Sequence, residues 1–341
     1  MMRGGIVVIG ILTFVAAMPL GFGGETNETP KLSRYAFRQI QMGVPFTLIM
    51  YAPDEARANR AAEAAFARAK ELNAILSDYD PDSELRQWPK SAQPGEPYPI
   101  SRELSEVLHR SQEIARKTNG SFDVTVGPLS RLWRIARRKK ELPNTEAVAS
   151  AMQSVGYRHL EIDADEQMAT LKRPNMRFDL GGIAKGYAGD EMLRILREHG
   201  ITRAMIDASG DLALGDSPPT KKGWTIAVAA LDTPDSESSR TIIARNCGIA
   251  TSGDAYNFLE IDGTRYSHIV DPRTGYGLTD RSSVTVIAKN GTDADAYASA
   301  ISVLGPEKGL ALARCTDDLE VLVAYSEAEE IKVSQSAGFP K

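Results

Sequence analysis

Apolar residues return at helical spacing through the alanine-rich stretch from Asp54 to Ser77, where Ala62, Phe66, Ala69, Leu72 and Leu76 share one face. The same period predicts a helix from Ser101 to Thr118, with Leu104, Val107, Leu108 and Ala115 inward and Gly120 just past its end. Asn144 supplies the cap of a third helix, which Gly156 terminates. Shorter apolar runs predict strands at Phe46 to Tyr51, Met176 to Leu180 and Arg203 to Asp207, with a closing strand from Glu320 to Tyr325. The second of these leads through Gly181-Gly182 into a helix ending at His199-Gly200. From Trp224 to Thr285 the chain is rich in Val, Ile, Thr and Gly, which predicts consecutive strands with turns at Asp262-Gly263 and Thr274-Gly275. A last helix is expected over Asp293–Leu304, stopped by Gly305-Pro306. Helices and hairpins alternate without a βαβ rhythm, which favours an α+β domain over a doubly wound sheet.

The amino terminus follows a different pattern. Arg3 precedes an apolar run from Ile6 to Met18, and Pro19, Gly21, Gly23 and Gly24 follow it. These are the parts of a secretory signal, and the run is shorter than the ~20 residues of a membrane-spanning helix. Residues 1–24 are therefore read as a signal peptide, 25–32 as a polar linker and 33–341 as a single domain. The expected location is the periplasm, or the inner membrane if the signal stays uncleaved. No cysteine stands near the end of the run, so no lipid anchor is expected.

Composition narrows the class only a little. The 341 residues carry a net charge of -5, with 42% hydrophobic and 25% charged residues, the balance of a soluble globular protein. Mild acidity argues against a general affinity for nucleic acid. Cys247 and Cys315 make neither a disulfide framework nor a metal-ligand spacing and read as separate buried thiols. The four histidines, His109, His159, His199 and His268, form no zinc pattern.

Three segments carry candidate chemistry. Asp295 and Ser299 lie four apart, so a helix puts a carboxylate and a hydroxyl on one face, where they can hold a hard cation. The competing reading has Asp293 capping the helix and Asp295 complementing its dipole. In Asp179-Leu-Gly-Gly-Ile-Ala-Lys185, a strand delivers an acid, two glycines open a helix, and a lysine sits in the first turn. That arrangement suits a phosphate, though it matches neither standard nucleotide motif; a glycine turn with no ligand is the alternative. His268, just before the turn at Asp271-Pro-Arg-Thr-Gly275, is a candidate base, set against a structural histidine. Tyr79 offers a ring for stacking. The basic run from Arg131 to Lys140 around Trp133 reads as a solvated helix face or a docking surface.

In this order, Gly120–Gly127 (GSFDVTVG), Phe178–Asp190 (FDLGGIAKGYAGD), Ser267–Gly275 (SHIVDPRTG) and Asp293–Leu304 (DADAYASAISVL) resemble the ApbE family, the FAD:protein FMN transferases. The resemblance covers nearly everything from about Met42 to about Leu312. It implies an α+β fold of mixed or antiparallel sheets packed with helices, FAD as substrate and Mg2+ as cofactor. It carries Met42, Tyr79, Ser121, Phe122, Asp123, Asp179 and Lys185 onto the FAD site, with His268, Ile269 and Val270 against the flavin or its phosphates. Magnesium would be held by Asp295, Ser299 and the backbone carbonyl of Gly182. His268 would be the base, Asp271 its helper, and Lys185 a stabiliser of phosphate charge. The partner implied is an acceptor protein with an [ST]-G-A-T motif, a stretch this chain lacks. Two departures stand out: Ser299 replaces the family's threonine, and Asp207-Ala-Ser209-Gly210-Asp211 lacks the paired glycines common before the acid. An FAD pyrophosphatase and a non-catalytic FAD-binding protein are the competing functions; a nicotinamide dehydrogenase is disfavoured because its glycine fingerprint is missing.

Overall fold

A tight hairpin begins the described chain: β1 (Ser33–Gln41) and β2 (Val44–Ala52) pair antiparallel, with Gln41 opposite Val44. Met42 and Gly43 between them take φ of 48° and 77°, the left-handed pair that a two-residue turn requires. The computed structural model describes residues 31–228, 240–253, 258–328 and 330–340. The expected signal peptide, and all but the last two residues of the linker, lie outside them.

After the hairpin come α1 (Glu55–Leu76), α2 (Glu84–Ser91), β3 (Pro97–Pro99), α3 (Arg102–Lys117), α4 (Gly127–Lys139), α5 (Thr145–Met152), β4 (Leu160–Asp163) and β5 (Met168–Leu171). The second half holds α6 (Ala184–Glu198), β6 (Ala204–Ala208), β7 (Leu212–Leu214), β8 (Trp224–Val228), β9 (Arg240–Ala244), β10 (Cys247–Gly253), β11 (Phe258–Ile261), β12 (Thr264–Ser267) and β13 (Ser282–Ala288). It closes with α7 (Gly291–Arg314), β14 (Glu320–Glu327) and β15 (Glu330–Gln335). An eight-stranded sheet runs β1-β2-β6-β7-β10-β13-β14-β15, and β3-β5-β4, β8-β9 and β11-β12 form smaller sheets. Every pairing between these strands is antiparallel, so the fold is α+β as the pattern predicts.

Period-two alternation sends the sheet's side chains to two cores. Phe46, Leu48 and Met50 of β2 meet α1, α6 and α7 in the larger core, while Ile49 and Tyr51 face the opposite core of Leu214, Trp224, Ile226 and Ile242. Each fully buried aliphatic or aromatic side chain there contributes about 1.5–3 kcal/mol of transfer free energy. Asp54 accepts a hydrogen bond from Arg57 N at 2.7 Å and fixes where α1 begins. A third cluster joins α4 and α5 to β11, β12 and the loop after them through Leu129, Trp133, Val148, Leu259 and Val270.

Several expectations need correction. Met176 to Leu180 belongs to no sheet: it makes one bridge, Arg177 with Val126, and Asp179 N donates to Val124 O at 2.9 Å, so it lies along the loop that leads into α4. The helix capped by Asn144 ends at Met152, ahead of Gly156. Gly305 breaks α7 with φ 78° and ψ 174°, but Pro306 suits the first turn of a helix and the chain resumes to Arg314. The last strand is β15, not Glu320 to Tyr325. Cys315 is exposed rather than buried, and Cys247 is half-buried, with its thiol pushed up to about 11 by burial. Among the described residues no helix is long and apolar enough to cross a membrane.

Candidate active site

Helices α6 and α7 approach so closely that no side chain fits between them at one point. A Cβ on Gly186 would collide with the Gly291 carbonyl and come within 2.8 Å of Thr292 N. Asp190 of α6 accepts hydrogen bonds from Gly291 N and Thr292 N, each 2.8 Å, and from Thr292 Oγ1 at 2.6 Å. Asn290 caps α7 by accepting from Asp293 N at 2.7 Å. Asp293 is therefore not the cap; Arg110 Nε donates to it at 2.6 Å.

The cap and the start of α7 are served by other groups, so Asp295 is not needed there. It is 3% exposed. Its one hydrogen bond comes from Gly186 N at 3.3 Å. Burial pushes its carboxyl above the usual carboxylate range, and Lys185 opposes that shift. A Cβ on Gly182 would stand 2.6 Å from Ser299 Oγ and 3.5 Å from Phe122 Cε2, so the glycine backbone lies directly against that hydroxyl. Gly182, Asp295 and Ser299 thus meet at one place. Lys185 Nζ donates to Asp211 Oδ2 beside them.

These groups line a cavity of about 1010 Å³. Of the residues singled out from sequence, it brings together Met42, Tyr79, Ser121, Phe122, Asp123, Asp179, Gly182 and Lys185. His268, Ile269, Val270, Asp295 and Ser299 complete that set. Met42 reaches it from the β1–β2 turn, and exposed His268 from the loop after β12. Ser121 Oγ is buried with no hydrogen-bond partner. Asp123 serves its own loop instead: its carboxylate accepts from Thr125 N, Thr125 Oγ1 and Tyr157 N at 2.9, 2.7 and 2.6 Å.

Asp271 is the one candidate outside the lining, although Val270 and Pro272 on either side of it belong to that lining. Its carboxylate accepts from Arg273 Nε at 2.9 Å and Nη2 at 2.8 Å, and also from Arg273 N, so it shapes the turn. Trp133 Nε1 donates to Gly275 O at 2.9 Å and ties that turn to α4.

The basic run on α4 contributes more than its composition suggested. Ser130, Trp133, Arg134 and Arg137 line the cavity. Their spacing of three, four and seven is one helical face, and that periodicity is the signal a count of charges hides. Arg134 donates to Asp179 at 3.0 Å, pairs with Asp78 at 2.5 Å and lies 4.1 Å over the Tyr79 ring. Asp78 and Asp211 were not singled out because loop contacts across the chain leave no local pattern.

Asp78 yields a pH test. Burial first, then the Asp179 charge, pushes it up to about 6 against an ordinary value of 3.8, while Arg134 opposes the shift. A carboxyl raised on folding stabilises the fold fully below its unfolded value and loses that contribution as pH rises through its folded value. The stability of wild type minus that of Asp78→Asn should therefore fall between about pH 4 and about pH 7, by at most about 3 kcal/mol. Urea unfolding across that range measures it, and a flat difference rejects the shift.

Comparison with known proteins agrees with this architecture. The sequence profile of the ApbE family matches residues 42–323. The FAD:protein FMN transferase of Klebsiella pneumoniae (strain 342) is 31% identical over 303 residues, covering 87% of this chain and 86% of that protein. That of Escherichia coli (strain K12) is 31% identical over 270 residues, covering 78% and 76%. The flavin transferase ApbE from Vibrio cholerae superposes with a TM-score of 0.82 at 29% identity, covering 91% of this chain and 99% of that one. The apbe protein of Thermotoga maritima gives 0.79 at 27% identity, covering 90% and 98%. With its antiparallel sheet, its paired α6 and α7 and the match across residues 42–323, the chain belongs to the ApbE family.

Proposed function

We propose that this protein is a magnesium-dependent FAD:protein FMN transferase, moving FMN from FAD to a threonine or serine hydroxyl of an acceptor protein. The observation that carries the reading is Asp295, a buried carboxylate that among the described residues accepts one long hydrogen bond, beside Lys185 and Ser299 in a cavity large enough for a dinucleotide. The residues fit the ion. Among the described residues no cluster of three or more His, Cys, Asp or Glu is placed to hold a metal. One carboxylate, one hydroxyl and one backbone carbonyl are instead a mixed oxygen set, as magnesium takes when substrate phosphate and water complete its shell. When bound there, magnesium supplies positive charge to the diphosphate undergoing cleavage.

The protein's own groups would divide the remaining work. Lys185, steadied by Asp211, aims a second positive charge at the phosphate oxygens. The acceptor oxygen attacks the FMN-side phosphorus, the bond to the bridging oxygen breaks, AMP leaves, and a phosphoester to the acceptor forms. His268, exposed at the cavity, takes the hydroxyl proton. Arg3 and the run from Ile6 to Met18 support export to the periplasm as the setting.

Incubation with FAD, magnesium and an acceptor peptide tests the reading. Covalent flavin fluorescence on the peptide, with equimolar AMP, is expected. AMP released equally fast without peptide would make the protein a pyrophosphatase, and FAD recovered intact would make it a binding protein. His268→Ala should slow transfer about a hundredfold while FAD affinity changes by less than about threefold. Equal losses in both would make His268 a binding residue only.

A further inference from the structure

Helix α4 separates the central cavity from a second depression of about 530 Å³ on its other side, bounded by α5 and the loop before Phe178. Arg131, Arg173 and Arg177 stand around it, over an apolar floor that includes Leu132, Ile135 and Ala151. None of the three arginines takes part in an ion pair among the described residues. Two of them feel one another: burial first, then the charges of Arg131 and Arg86, depress the Arg177 guanidinium below its ordinary range. In a chain of net charge -5, a pocket lined by three arginines and no carboxylate is a field left open for an anion.

The arrangement is built rather than incidental. The arginine-bearing loop is fixed to α4 by the Arg177–Val126 bridge, and Gly127 packs so tightly that a Cβ would come within 2.7 Å of the Arg177 carbonyl carbon. The field also reaches the central cavity. Arg86, which shares it, donates through Nη1 to the Asp78 carbonyl at 2.7 Å, beside Tyr79 at the cavity wall.

We propose that this surface docks an acidic, partly apolar segment of the acceptor protein and so presents the neighbouring hydroxyl to the central cavity. Carboxylates on the segment meet Arg131, Arg173 and Arg177, and apolar side chains cover the floor. The proposal rests on the transferase reading for the identity of the partner, but the charge complementarity is measurable without turnover.

Two fluorescein-labelled peptides test it, each carrying a Thr-Gly-Ala-Thr core, one flanked by glutamates and one by glutamines. At about 50 mM salt the glutamate peptide should bind the full-length protein at least about tenfold more tightly, read by anisotropy without FAD. The preference should vanish near about 500 mM salt and in R131Q/R173Q/R177Q, whose FAD affinity stays unchanged. If that variant does not fold, R131Q and R173Q singly should each weaken the glutamate peptide about threefold. Equal binding of the two peptides by wild type, a preference that survives the substitutions, or arginine-dependent binding to anionic lipid vesicles alone would overturn the proposal. Failure of the transferase reading looks different: neither peptide becomes flavinylated, while anisotropy still decides the docking surface.

Discussion

Asp295→Asn is expected to reduce magnesium-dependent turnover by about a thousandfold or more while leaving the protein folded. The two halves of this expectation have one cause. Asp295 is a buried carboxylate on which the fold leans little: its one hydrogen bond among the described residues is long, an amide oxygen can accept it equally, and Asn290, Asp190 and Arg110 serve the start of α7 without it. Burial disfavours that charge, so a neutral amide of the same shape removes a penalty in the free protein. Thermal stability without ligand should therefore hold level or rise, and circular dichroism with thermal unfolding reads it. An ion-dependent activity equal to wild type would remove the proposed metal site. A collapse of the fold would show that Asp295 is structural after all.

Gly186→Ala is expected to have the largest effect on stability. The added methyl has no direction of escape, because it meets the carbonyl of Gly291 and the Thr292 nitrogen, which are backbone. Those same residues are held against α6 by Asp190, one turn beyond Gly186. Relief requires α6 and α7 to part, at about 3 kcal/mol for overpacking, with strain on the Asp190 hydrogen bonds besides. Parting also carries Asp295 and Ser299 away from Gly182, so the fraction that folds should turn over poorly. Urea unfolding measures the first effect, and a wild-type midpoint would show that the contact relaxes at no cost.

Much of this was legible in the residue pattern, for local reasons. Ala62, Phe66, Ala69, Leu72 and Leu76 repeat at helical spacing and are all buried on α1. Asp54, Ser101 and Asn144 cap the helices they precede, since a capping side chain acts within three residues of itself. The site was legible where its residues sit in contiguous motifs, which is how Gly182, Lys185, Asp295 and Ser299 could be picked out before any geometry. Contacts between distant segments left no such trace. Asp78, Arg134 and Asp179 come together from a loop, a helix and an extended segment, and no spacing along the chain announces it. β1 escaped notice because its alternation is mostly between exposed and half-buried positions. Asp271 drew attention through its proximity to His268 along the chain, whereas its pairing with Arg273 shows only in the geometry.

The break at Gly305 divides α7 into two rods joined end to end. A continuous helix carries an unbroken ladder of hydrogen bonds, and a glycine joint at positive φ interrupts it. The rod from Gly291 to Leu304 carries Asp295 and Ser299, and the one from Pro306 to Arg314 reaches the start of the closing strands. The distal rod nonetheless lies against the proximal one, where a Cβ on Gly309 would stand 2.4 Å from Ile301 Cγ2, so a bulkier residue at that point would press on the rod that carries the ion-facing side chains.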